Sequence, residues 1–256
     1  RPLVYDEHTF RLAKKYDAEV FVKINTGMNR LGFSTIGETA SAVKNLRVLG
    51  VFTHLSSADG DDATDRRITE AQIKNFMEAE LVVKNEKDVP FYAENSAALI
   101  KYGRFFDGAR IGIALYGVNP VSGDKTPLLP VMTFRAAVIA INTVKKGDFI
   151  GYSRGYRAKK DMRVAIISTG YADGLPRALS NKGMIFCNGQ FLKIVGKVSM
   201  DSVAVDAGDA DVKIMDEVVV FGDEITVTDV ANRADTLPYE ILTGVSERVK
   251  RVYKNP

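Results

Sequence analysis

Two basic residues near the start of the chain could take part in acid–base chemistry and anion binding. Lys23 lies in the apolar, β-branched stretch 20–24, and Arg30 follows in a turn punctuated by glycines. Because a buried lone lysine is costly, Lys23 should be paired, chemically modified or extended to solvent. Arg30 has the fork geometry that binds a carboxylate, although most arginines in turns are simply solvated.

The chain has two histidines, and their positions differ. His54 follows a predicted strand at its carboxyl end, where parallel α/β folds build their active sites. It is therefore a candidate for proton transfer or for orienting another group. The alternative is that His54 has a purely structural role, with its ring nitrogens hydrogen-bonded to neighbouring groups. His8 lies in a polar helical stretch and is expected at the surface.

Two segments carry the residue types that bind a phosphate. Asn95 and Ser96 follow the third predicted strand, and Gly112 and Ile113 lie on the fourth. A phosphate needs a hydroxyl, a glycine that lets the backbone approach, and free N–H groups. The alternative is a helix cap at Ser96 and a glycine that serves packing alone.

Tyrosines stand beside glycines in predicted loops of the second half, at Tyr152 and Tyr171. Exposed tyrosines in glycine-rich loops are often binding groups. Most are nevertheless packing residues with a solvated hydroxyl. Met200 and Tyr239 are uninformative individually.

The elements that must position these residues change in type near the middle of the chain. The first half alternates strands, predicted over 20–24, 48–53, 90–93 and 109–115, with helices over 35–44, 97–102 and a long stretch after Asp65. Thr35 is the expected N-cap of the first of these helices. Four βα units in series imply a parallel sheet with right-handed crossovers. Eight are needed to close a TIM-type barrel, so these units would form either its second half, strands five to eight, or a small open sheet whose edge strands need cover.

The second half is predicted to be mostly β. Residues 120–130 contain three prolines and are typical of a linker. Beyond them, strands are predicted over 131–143, 163–168, 184–195, 202–205 and 217–221, with a hairpin turn at Asn188-Gly189 and one helix over 227–233. The predicted organisation is therefore an α/β domain over 1–119, a linker over 120–130 and a β domain over 131–256.

Composition excludes several classes of protein. The 256 residues are 46% hydrophobic and 26% charged, which excludes a disordered tail, a collagen-like fibre and a disulfide scaffold. A formal charge of +3 is too small to argue for nucleic acid or an anionic membrane. Cys187 is the only cysteine, so a reducing, cytoplasmic location is expected, without a cysteine-based zinc site or any other metal. We predict no bilayer-crossing segment and no signal peptide.

Seven segments, taken together and in order, resemble one enzyme family. They are Lys-x-x-Thr-Gly-Met-x-Arg-Leu-Gly from Lys23, Thr-His at 53–54, Glu-Asn-Ser-Ala-Ala from Glu94, Arg-Ile-Gly-Ile-Ala-Leu-Tyr-Gly from Arg110, Gly-Tyr-Ala-Asp-Gly from Gly170, Ser-Met-Asp from Ser199 and Pro-Tyr-Glu from Pro238. From about residue 15 to about 253 the chain resembles alanine racemase, a pyridoxal-phosphate enzyme. The resemblance implies an α/β plus all-β fold: the C-terminal half of a (β/α)8 barrel followed by a β domain.

The resemblance assigns catalytic roles to Arg30, His54 and Tyr152, and a modification to Lys23. Lys23 corresponds to a lysine that is often carbamylated, and the new negative charge holds Arg30 near the substrate carboxylate and the cofactor's phenolic oxygen. His54 corresponds to the histidine that supports a catalytic tyrosine. Tyr152 corresponds to that tyrosine, a base that reaches into the partner subunit's site. A tyrosine pKa of about 10 would need lowering by nearby cations for this task.

The resemblance also assigns binding roles. The cofactor-binding positions are Asn95, Ser96, Arg110, Gly112, Ile113 and Tyr239, with Arg110 facing the pyridine nitrogen. Because arginine keeps its proton, that nitrogen would stay unprotonated, which favours racemisation over transamination. Tyr171 and Met200 correspond to partner-chain groups that line the substrate carboxylate site, which implies a homodimer.

Several positions depart from the family pattern. Asn25 and Asn29 stand where the family more often has Asp and Gly, Ser199 where a Cys is common, and Glu94 where a small residue is usual. The largest departure is the Schiff-base lysine of the first barrel strand, whose Val-Lys-Ala-Asn-Ala-Tyr-Gly context does not occur in these residues. We therefore predict that the chain, which starts with Arg1, belongs to a longer or split protein and is inactive alone.

The predicted function is interconversion of L- and D-alanine, which supplies D-alanine for peptidoglycan. The expected partners are a small amino acid and a second copy of the chain, with neither nucleic acid nor membrane. Alternatives are a racemase of serine or lysine, a non-catalytic pyridoxal-phosphate-binding protein, and a fragment that only pairs with another chain. The β domain with Tyr152, Tyr171 and Met200 argues against the non-catalytic reading.

Overall fold

The computed structural model describes residues 1–254, and the chain divides into two compact units, Arg1–Leu128 and Leu129–Pro256. The first unit holds four parallel strands: β1 (Leu3–Val4), β2 (Glu19–Lys23), β3 (Arg47–Phe52) and β4 (Phe91–Tyr92). Its helices are α1 (Glu7–Lys15), α2 (Ile36–Asn45), α3 (Ala63–Lys84) and α4 (Ser96–Tyr102). The strands lie in the sheet in chain order, as consecutive βα units of a barrel wall do.

The helices begin where the sequence places capping residues. The Thr35 hydroxyl accepts a hydrogen bond from the Glu38 amide, and the Glu38 carboxylate accepts one from the Thr35 amide, which confirms the predicted N-cap. Asp62 caps α3 by accepting from the Asp65 amide, and both carboxylates face the positive end of the helix dipole.

The predicted strand over 109–115 is wrong. A single parallel bridge joins Gly108 to Tyr92, and Ile113–Tyr116 is a 3-10 helix. The Arg110 amide donates to the Glu94 carbonyl, but the Gly112 amide turns to a side-chain hydroxyl rather than to a neighbouring strand. The sheet instead begins earlier, at β1, whose two residues are too few to show an alternating pattern.

Aromatic rings join α3 to the sheet of the first unit. The Phe76 ring lies 5.1 Å from that of Phe91 on β4 and 4.8 Å from that of Phe106, centroid to centroid. Both Phe76 and Phe91 are fully buried. This packing fixes α3 beside the carboxyl ends of the strands.

The second unit is mostly antiparallel. Its strands are β5 (Phe134–Val144), β6 (Phe149–Ile150), β7 (Tyr156–Arg157), β8 (Met162–Ile167), β9 (Met184–Cys187), β10 (Gln190–Lys193), β11 (Val203–Asp206) and β12 (Glu217–Phe221), and its helices are α5 (Val227–Ala234) and α6 (Pro238–Gly244). Six strands form one sheet in the order β10-β9-β12-β5-β8-β11, and β6 pairs with β7. An apolar core of 25 buried residues, among them Ile167, Leu175 and Phe221, fills this unit.

Most of the predicted β elements are present, with shifted ends. The predicted stretch 184–195 is the β9–β10 hairpin, whose turn residues Asn188 and Gly189 both have positive φ, as a type I′ turn requires. The sequence did not predict β6, β7 or α6, because two-residue strands and a seven-residue helix show no periodicity. Among the described residues, no helix combines the length and apolarity needed to cross a bilayer.

Candidate active site

Basic side chains gather at the carboxyl ends of β2 and β3. Lys23 is the last residue of β2 and is only 5% exposed. Its Nζ lies 5.9 Å from the centroid of the Phe52 ring, and the Arg110 guanidinium lies 4.5 Å from the same centroid. The structure thus brings together two side chains that lie 87 positions apart in the sequence.

Burial is the main cause that lowers the pKa of Lys23, followed by the cations of Arg30 and Arg110. Every charge that acts on this ammonium is thus of its own sign. A lysine in such surroundings loses its proton more readily than an ordinary one.

Arg110 and His54 form a direct hydrogen-bonded pair. Arg110 Nη2 donates to the Thr53 carbonyl over 2.6 Å and lies 2.9 Å from His54 Nδ1. Because a guanidinium has donors only, His54 Nδ1 must accept, and the imidazole proton is on Nε2. The His54 ring is therefore oriented by an arginine rather than by a carboxylate.

The pKa of His54 is lowered to about 4, first by burial and then by the cations of Arg110, Arg30 and Lys23. At neutral pH the ring is uncharged and presents one N–H and one accepting nitrogen. It is therefore suited to orient a neighbouring hydroxyl rather than to act as a charged acid.

One donor of Arg110 has no acceptor in the part of the chain that the structure describes. Its Nε is buried and makes no hydrogen bond there. Burial and the cation of Arg30 also lower the pKa of this guanidinium. An unpaired buried N–H costs about 1–3 kcal/mol, so this donor fits the accepting atom of a bound molecule.

Ser96 and the start of the 3-10 helix form a small cradle of donors. Ser96 Oγ accepts from the Gly112 amide over 3.0 Å and from the Ala114 amide over 3.3 Å, so its own proton is free to be donated outward. The space beside the Gly112 backbone, next to Ile113, is open, because a Cβ added at Gly112 would meet no atom within 4 Å. This combination suits an oxyanion such as a phosphate.

Asn95, not Ser96, caps α4, so the alternative of a helix cap at Ser96 is wrong. The Asn95 side chain accepts from the Ala98 amide over 2.9 Å and donates to the Leu55 carbonyl over 3.2 Å. Asn95 therefore positions the helix end, and Ser96 keeps its hydroxyl for the cradle.

The loop that carries Arg30 is built by its two asparagines. Asn25 Oδ1 accepts from the amides of Gly27 and Asn29, and Asn25 Nδ2 donates to Asn29 Oδ1. Asn29 has φ +58°, a left-handed conformation that Asn adopts at low cost, so it serves a position where glycine is also suitable. A Cβ on Gly32 would lie 2.4 Å from the Asn25 nitrogen, so only glycine fits there.

In the second unit, a strained loop presents Tyr152. The ring is 72% exposed, and Gly151, Ser153 and Arg154 all have positive φ. Consecutive left-handed residues that are not glycine cost free energy and are typical of functional sites. Tyr239, the second residue of α6, is also exposed in this unit.

Tyr171 and Met200 lie on two loops that are joined through their backbones. The Tyr171 amide donates to the Ser199 carbonyl over 3.0 Å, and the Ala172 amide donates to the Met200 carbonyl over 3.0 Å. A Cβ on Gly170 would lie 2.3 Å from both the Ser199 and Met200 oxygens, so this approach requires glycine. The structure thus brings together the two residues assigned to the substrate carboxylate.

Arg248, which the sequence analysis missed, clamps these two loops. Its Nε lies 2.9 Å from Asp173 Oδ1, and its Nη2 lies 2.6 Å from Asp201 Oδ1. The other Asp173 oxygen accepts from the Gly170 amide over 2.8 Å. Arg-Val at 248–249 carries no local signal, because both carboxylates come from distant loops.

We expect Arg248→Leu to release the two loops. The methyl resonance of Met200 should broaden or shift. The free energy of unfolding should fall by only about 1 kcal/mol or less, because Arg248 and Asp201 are about half exposed and only Asp173 is largely buried. Methyl NMR of methionine-labelled protein measures the first effect and urea unfolding the second. Lys250→Leu, which removes an exposed cation two positions away, is the control. An unchanged Met200 signal in Arg248→Leu would show that the clamp is not needed.

Comparisons with known proteins agree along the whole chain. Residues 3–120 match the family described as "Alanine racemase, N-terminal domain", and residues 131–253 match "Alanine racemase, C-terminal domain". The alanine racemase of Halothermothrix orenii is 36% identical over 262 residues, covering 96% of this chain and 68% of that protein. The alanine racemase of Aquifex aeolicus is 34% identical, covering 98% of this chain and 71% of that protein.

Solved structures have the same fold. The alanine racemase of Streptomyces coelicolor superposes with a TM-score of 0.92 at 28% identity, covering 99% of this chain and 72% of that one. The alanine racemase of Bartonella henselae, solved with covalently bound pyridoxal phosphate, gives 0.88 at 29% identity, with 99% and 73% covered. The predicted fold class, part of a TIM-type barrel followed by a β domain, is confirmed. The chain belongs to the alanine racemase family of pyridoxal-phosphate-dependent isomerases.

Proposed function

We propose that the enzyme containing these residues interconverts L- and D-alanine by removing and returning the proton at Cα. The observation that carries the proposal is the Arg110–His54 pair, in which a half-buried arginine orients a neutral imidazole and keeps its buried Nε for a ligand. Arg30 and Lys23 lie near enough to lower the pKa of that imidazole. The charges that act on His54 are all cations, which suits the site to an amino acid's carboxylate and to a phosphate.

The residues fit pyridoxal phosphate. The Ser96 hydroxyl and the open backbone at Gly112 and Ile113 would hold the phosphate, with Asn95 fixing the end of α4. Tyr239 is proposed as a further cofactor-binding residue. Arg110 Nε would donate to the ring nitrogen and, because arginine keeps its proton, would leave that nitrogen unprotonated. When bound, the cofactor withdraws electrons from Cα of the amino acid and makes its hydrogen acidic.

The proton transfers are assigned to two bases on opposite faces of the amino acid. Tyr152 would take or return the proton on one face, with neutral His54 orienting its hydroxyl and Arg30 binding the substrate carboxylate. Tyr171 and Met200 would complete that carboxylate site. In this proposal Tyr152, Tyr171 and Met200 come from the second copy in a homodimer with shared sites. The enzyme would work in the cytoplasm and supply D-alanine to peptidoglycan.

Lys23 is proposed to carry a carbamate. Its neutral amine, which the lowered pKa makes available, would attack carbon dioxide, forming an N–C bond and releasing one proton. The product replaces a buried cation among cations with an anion that pairs with Arg30. This removes the repulsion that otherwise acts on Lys23.

We expect one carbamate resonance in carbon-13 NMR of the protein incubated with labelled bicarbonate. It should form at a lower pH than a lysine with an ordinary pKa requires, and it should vanish in Lys23→Met. Lys74→Met, which removes an exposed lysine of α3, should retain the resonance. If the Lys23→Met variant shows the same carbamate resonance as the unchanged protein, Lys23 is excluded as the site.

Turnover with pyridoxal phosphate tests the proposed activity. The second base is a lysine in a Val-Lys-Ala-Asn-type strand, which does not occur in the 256 residues, so we expect no racemisation by this chain alone. Adding a polypeptide that supplies barrel strands one to four with that lysine should produce turnover of L- and D-alanine.

Each alternative has its own outcome in this experiment. Faster turnover of L-serine or L-lysine than of L-alanine would indicate a different racemase. Cofactor binding without any turnover after complementation would favour a non-catalytic binding protein. Racemisation by the chain alone would overturn the assignment of the second base.

A further inference from the structure

A buried glutamine on α3 uses its complete hydrogen-bonding capacity on two loops of the candidate active site. Gln72 is 2% exposed. Its Nε2 donates to Thr26 Oγ1 over 3.3 Å and to the His54 carbonyl over 3.1 Å. Its Oε1 accepts from the Ser56 amide and the Ser56 hydroxyl, each over 2.9 Å. A side-chain amide offers two donors and two accepting lone pairs, and all four are used here.

The orientation of this amide is determined by its partners. The Ser56 amide can only donate and the His54 carbonyl can only accept, so oxygen and nitrogen of Gln72 cannot exchange places without losing both bonds. All of the Gln72 hydrogen bonds to the His54–Ser56 backbone are therefore made in only one arrangement of this segment.

The same amide reaches the loop that carries Arg30. Thr26 Oγ1 lies 2.7 Å from Thr53 Oγ1, and the Thr53 hydroxyl donates to the Ile24 carbonyl over 3.0 Å, so the ends of β2 and β3 are joined beneath the site. Asn75, one turn beyond Gln72 on α3, donates to the Thr26 carbonyl over 3.3 Å. Helix α3 thus holds both loops by their backbones as well as their side chains.

Packing tightens this connection. A Cβ added at Gly27 would lie 3.4 Å from Gln72 Cγ, so the Arg30 loop rests directly on the glutamine stem. Arg110 is anchored to the same region, because it donates to the Thr53 carbonyl as well as to His54. A shift of the His54 segment would therefore lengthen the 2.9 Å contact between Arg110 Nη2 and His54 Nδ1.

We propose that Gln72 is a positioning residue of the racemisation site: it fixes the His54 backbone and the Arg30 loop, and so keeps the imidazole against Arg110. This role rests on the proposed function, although the positioning itself is a property of the chain. A methionine of similar volume would fill the same space without the desolvation of an amide. The amide instead determines which arrangement of the loops is stable.

Titration of His54 tests the proposal directly in the Gln72→Met variant. The chain has only two histidines, so His8, which is exposed on α1, serves as an internal standard in NMR. The groups that act on His54 are Lys23, Arg30 and Arg110, all cations. If the imidazole leaves them, its titration should move upward by about one pH unit or more. Glu78→Gln, an exposed change on the same helix, should leave the His54 titration unchanged.

Smaller changes keep the test valid if Gln72→Met does not fold. Ser56→Ala removes one of the four bonds and Thr26→Val another, and each should move the His54 titration in the same direction by a smaller amount. The proposal would be overturned by an unchanged His54 titration in a folded Gln72→Met variant. If that variant does not fold, an unchanged titration in both Ser56→Ala and Thr26→Val would overturn it.

Kinetics separates positioning from simple stability. In the complemented enzyme, Gln72→Met should lower kcat roughly 10- to 100-fold with a smaller change in KM, because misplaced groups slow the chemical step. An equal loss in Glu78→Gln would contradict this. If the complemented enzyme with Gln72 in place also fails to racemise alanine, the proposed function fails, and the His54 titration still decides the role of Gln72.

Discussion

Replacing Tyr152 with phenylalanine should lower alanine racemisation by about 10²- to 10⁴-fold, the usual contribution of a positioned general base. The substitution removes one hydroxyl and leaves the ring. Tyr152 is 72% exposed and starts a 3-10 turn with φ +54° at Ser153 and +56° at Arg154. The chain thus maintains a strained loop with an outward tyrosine, which packing alone does not require.

A comparison of the two enantiomers makes the Tyr152→Phe test specific. Because one base serves one face of Cα, Tyr152→Phe should also slow the exchange of the Cα hydrogen with solvent deuterium for one enantiomer more than for the other. Rates are measured from L- and from D-alanine in the complemented enzyme. Tyr156→Phe, four positions further on β7, removes a hydroxyl in the same region and should change the rates little. Undiminished turnover of both enantiomers in Tyr152→Phe would exclude Tyr152 as a base.

Replacing Arg110 with methionine should have two large effects. The first is on His54, whose pKa of about 4 should rise part of the way toward its ordinary 6.5. Burial, the largest cause of the lowered pKa, remains, but the Arg110 cation and the donor to Nδ1 are both removed. The second is a fall in turnover of about 10²- to 10³-fold, the cost of losing one preorganised donor. NMR titration measures the first effect with His8 as internal standard, and racemisation assays measure the second.

Two variants give this prediction its controls. Arg104→Met removes an exposed arginine of the same loop and should change neither the His54 titration nor the turnover. Arg110→Lys keeps the charge but cannot reach the Thr53 carbonyl, His54 and a ligand at once. It should therefore keep much of the lowered His54 pKa and still lose activity. A His54 that titrates near 6.5 in the unchanged chain would contradict the buried pair.

The same pair makes stability depend on pH. The folded chain resists protonating His54 until about pH 4, whereas an unfolded histidine binds its proton at about 6.5. Between these values the unfolded state holds more protons, so stability falls as the pH falls. The contribution is complete above pH 6.5, is lost through the window down to pH 4, and changes no further below it. Allowing for partial exposure of the ring, the loss is about 1–2 kcal/mol.

Urea unfolding at a series of pH values measures this contribution. The slope of stability against pH between 4 and 6.5 should be reduced in Arg110→Met, since the pKa values of folded and unfolded His54 then approach each other. An equal slope in Arg104→Met and the unchanged protein is expected. A slope of opposite sign would show that the fold stabilises the charged imidazole.

Much of the architecture could be predicted from the sequence because it depends on neighbouring residues. The cap at Thr35 works within three residues, and the Asn188-Gly189 turn within two. Strand β12 has the predicted bounds because its apolar run is short and clearly bounded. The ordered motifs also identified the family and named the side chains Lys23 and His54 as candidates.

Only the tertiary structure decided how those side chains act. The predicted strand over 109–115 is an irregular turn with a 3-10 helix, because Ser96 draws the Gly112 and Ala114 amides away from the sheet. The neutral state of His54 depends first on its burial and then on Arg110, 56 positions away, and the Gln72 amide reaches Thr26 across 46 positions. Local patterns carry no record of such contacts, because burial and charge at a site are created only when distant segments pack together.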